Sequence, residues 1–323
     1  MKALRTELGS IFLLLAALAV SLILTSCGKD DSIVDSTPTS TEETLLQLTE
    51  SSDEIASFES NYNEEEAMEM SLSKISETIY PKKVGQRMHP VSKTFNATIL
   101  GDSAYAVYTR TYEGQLIIVA STVNGGPADT VIYKSFTTQI TRNLIFKKVY
   151  DDSCLNVKNS LDTSDYCWKI VAISLPEGGT GNTTIVFEKL SVNLPGGDTL
   201  VVTSPNDYYL SHYQGYRRPM PYLNQNQMTT VRIELLSSHN EQELVTLTCN
   251  GNSNGLHRSK RQFQLVSSEQ VGGYYKRVYE GYWVTSNFPG HYHAVVNAMS
   301  SQSVTDDAAP VEISSWGIPY RIN

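Results

Sequence analysis

Three patterns of apolar and polar positions divide the chain. The first is a run with almost no polar interruption, Ile11–Leu24. Next, apolar residues recur at helical spacing: Ile55, Phe58 and Tyr62, then Met68, Leu72, Ile75 and Ile79 at i, i+4, i+7 and i+11, which is one face of a helix. Ser51 and Glu54 have the spacing of a capping box, and Pro81 would stop the helix. One broken helix or two short ones are therefore expected before Pro81, followed by a basic loop holding Lys82, Lys83, Arg87, His89 and Lys93. From about Phe95 the period falls to two. Ser103–Tyr112 alternates, Glu113-Gly114 is expected to turn a hairpin into Gln115–Ala120, and Asn124–Pro127 is a loop. Val131–Val149 is too long for a straight strand, so a bend or bulge is expected. Tyr166–Leu175 is a further strand, and Pro176–Gly181 is a break suited to a domain boundary.

Beyond that break the chain reads as strands only: Thr184–Val192, Thr199–Thr203, Thr229–Leu236, Glu243–Cys249, Lys260–Val266, Tyr274–Val284, His291–Met299 and Val311–Tyr320. Their spacing is that of a sandwich.

Helices, then a curved meander ending in a strand with Trp168-Lys169-Ile170, resemble the NTF2-like cone fold across roughly Ser52–Leu175. The stretch Asp151–Asp165 departs from it, because such folds turn more tightly there. Tyr279–Trp283, Phe288-Pro289-Gly290 and His291–Ala298 resemble the late strands of an immunoglobulin-like module. The expected fold class is an α+β N-terminal domain, NTF2-like with helices packed on a curved antiparallel sheet, followed by an all-β immunoglobulin-like sandwich. The first resemblance implies a pocket wrapped by the sheet, an active site in some members and a binding surface in others. The carboxylates of its enzymatic members match no position here, so no catalytic residue is carried over.

The N-terminal run has its own chemistry. Lys2 and Arg5 precede 14 residues of mostly apolar character, the length of a signal-peptide core and short of the ~20 residues a membrane span needs. It ends in Leu24-Thr25-Ser26-Cys27, which resembles the lipobox of bacterial lipoproteins. That implies cleavage before Cys27 and acylation of its thiol; two or three acyl chains hold where one anchors only marginally. The expected plan is a signal peptide over 1–26, the lipidated Cys27 and a polar tether over 27–50, the α+β domain over 51–177 and the sandwich over 178–323. Gly28 follows the cysteine, so an inner-membrane retention Asp is absent, and Lys29-Asp30-Asp31 resembles the export signals of some surface lipoproteins. The expected location is the cell envelope, at the outer membrane.

Charge narrows the partners. From Lys29 to Glu77 there are 14 acidic residues against Lys29 and Lys74, whereas from Thr78 onward 21 Lys and Arg face 19 Asp and Glu. A nucleic-acid binder needs a basic excess to neutralise phosphates, so nucleic acid is not an expected partner. Among 30 aromatic residues 19 are Tyr, a bias that favours strands. Three cysteines remain besides Cys27. Cys154 and Cys167 flank a polar loop, where a bridge would contribute about 3 kcal/mol, and Cys249 ends an apolar strand as a buried thiol.

Candidate chemistry is sparse. His291 and His293 share one strand face, a spacing that can supply two metal ligands, but no third ligand lies nearby, so no metal or cofactor is expected. Tyr208, Tyr209, His212, Tyr213, Tyr216, Arg217, Arg218 and Tyr222 form an aromatic and basic cluster that suits sugar faces or protein partners, or a strap against the domains. Tyr208, Tyr213, Tyr216 and Arg217, with Trp283, are the candidate binding surface. No phosphate loop, nucleophile elbow or zinc-protease motif occurs. The expectation is a non-enzymatic, lipid-anchored envelope protein that binds or scaffolds a protein or glycan. The alternatives are a hydrolytic or small-ligand enzyme in the first domain's pocket, and a carbohydrate-binding module using Tyr213, Tyr216 or Trp283.

Overall fold

A computed structural model describes residues 41–63, 68–69, 79–150, 166–194, 197–211, 220–251 and 258–323. Its organising feature is an antiparallel meander of very long strands: β2 (Tyr80–Leu100), β3 (Ser103–Ser121) and β4 (Thr130–Tyr150). At about 3.3 Å per residue each runs some 60–70 Å along its path. The short β1 (Met68–Glu69) pairs with β2 at Lys83 and Val84. Alternation explains the meander. Ala104, Ala106, Tyr108, Tyr112, Leu116 and Ile118 point inward from β3 and are buried, while the residues between them lie on the opposite face and are more exposed.

β4 has two partners on its far edge. Its end pairs with β5 (Tyr166–Ser174), which carries β9 (Tyr209–Ser211). Its middle pairs with β6 (Glu177–Thr180). The other edge of β6 pairs with β17 (Ile313–Ile322), followed in order by β16 (Gly290–Met299), β12 (Leu244–Cys249) and β13 (Ser259–Gln262), with β10 (Tyr222–Leu223) parallel to β17. One sheet therefore runs from the meander into the second half. Glu177–Thr180, expected as a break, is the strand that joins them. Gly178 permits this, because a Cβ there would lie 1.8 Å from the Gln139 carbonyl oxygen. A second antiparallel sheet, β14 (Gln264–Val271), β15 (Tyr274–Val284), β11 (Met228–Ser237), β7 (Val186–Asn193) and β8 (Thr199–Val202), faces this half.

Phe187, Leu190, Val231, Ile233, Tyr279 and Trp283 of the second sheet meet Val245, Leu247, Tyr292, Val296, Trp316 and Tyr320 of the first in one core. The other face of β16 is covered as well, by α2 (Asp53–Tyr62), so β16 is buried on both sides. Phe58 and Tyr62 of α2 stack on each other and pack among Val84, Tyr112, Leu116, Val295 and Ile313. Before it, α1 (Thr41–Glu50) buries Leu45 against Ile55, Tyr108, Leu144 and Phe146. A third helix, α3 (Ser301–Thr305), is one short turn after β16.

The expected fold class is corrected here. The protein is mostly β, and neither an α+β NTF2-like domain nor an immunoglobulin-like sandwich is shown. The coarser expectation of a β-sandwich is consistent with the two antiparallel sheets. Four local readings account for the difference. Met68 and Glu69, placed on a helix by apolar spacing, pair with β2 instead, and residues 70–78 lie outside the described residues. The basic "loop" from Lys82 to Lys93 is the first half of β2, with Pro90 tolerated at a bulge where, among the described residues, only β3 pairs with the strand. The Glu113-Gly114 turn does not form, because both residues continue β3; the hairpin instead turns at Gly101, whose φ of 62° suits a glycine. Thr41–Glu50, read as tether, is α1. Among the described residues no helix is long and apolar enough to cross a membrane.

Candidate functional site

The outer face of the meander carries a dish of about 510 Å³ lined by Arg87, His89, Glu113, Gly114, Gln115, Ser135, Phe136 and Thr137. Strand register builds it. Arg87, Gln115 and Ser135 lie side by side across β2, β3 and β4, and His89, Glu113 and Thr137 form the next row. One row in the other direction stand Gly85, Ile117 and Tyr133. Rows are about 6.6 Å apart and neighbouring strands about 4.8 Å, so the three rows form a patch of roughly 13 by 10 Å. On the inner face Phe136 packs its ring against Gly114, where a Cβ would come within 2.9 Å of it.

The patch is chemically mixed. His89 Nε2 lies 3.9 Å from Glu113 Oε2, and both side chains are mostly exposed. Arg87 has no ion-pair partner among the described residues. Gln115, Ser135 and Thr137 each offer a donor and an acceptor. Tyr133 is 62 % exposed, a flat apolar ring with a polar tip.

A second polar group lies on the inner face, around α2, and it is closed to solvent. Ser57 Oγ is 2.8 Å from His293 Nδ1, with the two residues 2 % and 0 % exposed. Ser57 Oγ also lies 3.3 Å from the Glu54 carbonyl oxygen, and His293 Nε2 has no hydrogen-bond partner among the described residues. Nearby, Arg142 sets its guanidinium 5.1 Å from the Phe58 ring centroid and leaves Nη1 without a hydrogen bond. Burial, then the Arg142 charge, holds the His293 imidazole well below its ordinary pKa. Burial pushes the Glu59 carboxyl up, opposed by Arg110, its ion-pair partner, and by Arg142. Such a Ser–His pair has the contact distance of a nucleophile and base, but a substrate has no access to it. Its evident work is to fix α2, which Asn61 also ties to Gly251 through two hydrogen bonds and Tyr62 to Thr138 through another.

The residues singled out from sequence are scattered. Trp283 is 1 % exposed in the sandwich core, so its ring packs against Tyr320 and offers no surface. Tyr208 is half-buried against the same core, and its carbonyl accepts from the Leu175 amide. Cys27, Cys154, Tyr213, Tyr216 and Arg217 lie outside the described residues. Cys167 is disulfide-bonded, and burial pushes the free Cys249 thiol up to about 12. His291 and His293 do share a face. His291 sits 3.2 Å from a Glu54 oxygen and accepts from Arg321, and no cluster fit to hold a metal is found among the described residues. Arg87 and His89 were visible as basic residues but not as strand neighbours of Glu113, Gln115 and Ser135. The signal that would have found them is the outward half of the alternation on β3 and β4, where polar side chains and Tyr133 take every second position. Comparison with protein families, with curated proteins and with solved structures finds no match for this chain.

Proposed function

We propose that this chain is a lipid-anchored protein of the cell envelope that binds a glycan or protein without catalysing its conversion, and that the outer face of the meander is its recognition surface. The observation that carries the reading is the dish: two rows of three polar side chains, with Tyr133 beside them, on a sheet whose inner face behind the dish packs against α2. A sheet that buries one face needs only a solvated, polar second face. A concave patch holding a guanidinium with no ion-pair partner among the described residues and an exposed aromatic ring goes beyond that need. The anchoring part of the reading rests on the leader and Leu24-Thr25-Ser26-Cys27.

The test is a glycan array probed with protein extracted from membranes, set against a variant with Arg87, Gln115 and Ser135 replaced by alanine. The reading expects signal from the parent and its loss in the variant, with melting temperature unchanged because all three side chains are exposed. Equal signal from both proteins would move the site elsewhere, and no signal from the parent would remove glycans as ligands. The same preparation reports the anchor, since its N-terminal peptide should have the mass of an acylated Cys27. An intact Met1 would overturn that part.

A further inference from the structure

From the composition of the dish we infer that its ligand is a saccharide bearing a carboxylate, with Arg87 as the group that receives the acid. The inference rests on the outer face being a binding surface and adds the chemical class of what binds.

The rows divide the work. Tyr133, 62 % exposed, stands in a row with the half-buried Ile117 and the buried Gly85, so its ring is available to an apolar sugar face. One row away, Gln115 and Ser135 flank Arg87, and Thr137 closes the far side. Amide and hydroxyl groups both donate and accept, as sugar hydroxyls require. Arg87 presents a planar fork of donors that matches a carboxylate two bonds at a time.

The neighbouring charges choose among anions. Glu113 stands in the row next to Arg87, diagonally across the strand pair, a separation of about 7–8 Å, with His89 Nε2 3.9 Å from its carboxylate. The dish therefore has room for one negative charge placed over Arg87. A polyphosphate or nucleic acid would carry further charge across Glu113, where like charges repel, and would meet no cluster of cations. A neutral sugar would give the Arg87 fork only uncharged hydroxyl acceptors, without the bidentate charge-assisted pair that a carboxylate makes. An acidic saccharide, with one carboxylate per ring and hydroxyls around it, satisfies all three rows.

Isothermal calorimetry on the membrane-extracted protein tests this with trigalacturonate, the neutral trigalactoside and inorganic phosphate, on the parent and on Arg87→Gln. Trigalacturonate should bind more tightly than the trigalactoside, and Arg87→Gln should weaken trigalacturonate at least ~10-fold and by a larger factor than it weakens the neutral sugar, as expected when one charge-assisted contact is lost. Equal affinity for the two sugars, unaltered by Arg87→Gln, would overturn the carboxylate inference while leaving the dish as a glycan surface. Phosphate binding as tightly as trigalacturonate would also overturn it, as would binding of neither sugar. Array signal that the dish variant abolishes, alongside equal affinities here, would separate failure of the inference from failure of the binding reading.

Discussion

Replacing Arg277 by alanine is expected to lower the unfolding free energy by about 3–5 kcal/mol, the range for breaking one partner of a buried ion pair. Arg277 is 2 % exposed, and the Glu243 side chain opposite it is fully buried. Every N–H of the guanidinium has an acceptor. Nη1 donates to Glu243 Oε1 and the Glu241 carbonyl, Nη2 to the His239 and Asn240 carbonyls, and Nε to Ser268 Oγ. One side chain on β15 thus gathers the segment before β12 and the neighbouring β14. Removing it leaves the Glu243 carboxylate buried with only Tyr279 to donate to it, and strands three carbonyls. The comparison that isolates this cause is Arg277→Met with Glu243→Gln, which removes the charge along with its partner and should cost less than Arg277→Ala alone. Urea unfolding of the three proteins measures the difference. Equal losses in both variants would show that packing, and not the stranded charge, sets the cost.

Acid should loosen the molecule through His293. Its folded pKa is held well below the ordinary 6.5, so below pH 6.5 the unfolded chain takes up a proton that the folded chain refuses. The stability it contributes is complete above pH 6.5 and falls as pH drops toward the folded pKa, by up to ~1.4 kcal/mol per pH unit. The groups facing it are Ser57 and Glu54 of α2, Arg142 of β4 and its strand neighbour His291. Glu54 favours the charged ring, while Arg142 and His291 oppose it. Glu59 acts with the opposite sign, since its raised pKa lets the folded state hold a proton just above pH 4.5 and offsets part of the loss there. In His293→Asn the amide can still hydrogen-bond to Ser57 but cannot titrate. This variant should be less stable at pH 7, for the lost ring, and should show a flatter decline between pH 6.5 and 5. A decline as steep as that of the parent would place the acid sensitivity elsewhere.

Much of the strand plan was legible. Val131–Val149 and Tyr274–Val284 stand in the structure within a residue of where alternation placed them, because one buried and one solvated face enforce a period of two. Gly290–Met299, covered on both faces, stands within a residue of where the turn residues before it placed a strand, His291–Met299. What failed depended on distant partners. Phe263 turns inward between β13 and β14, so a single expected strand becomes two that lie in different sheets. Glu177–Thr180 carries no strand signal in its own side chains, and only the close approach of β4 and β17 makes it one. The dish was hidden for the same reason. Arg87, Gln115 and Ser135 are separated by 20 residues or more along the chain, and register alone makes them neighbours.

That register makes the location of binding directly measurable. Amide hydrogen exchange on the full mature protein, with and without the glycan that binds best on the array, should slow at residues 85–89, 113–117 and 133–137 and leave residues 53–62 of α2 unchanged. Slowing confined to α2 and to β16 around His293, with those three segments unaffected, would contradict the assignment of recognition to the outer sheet face.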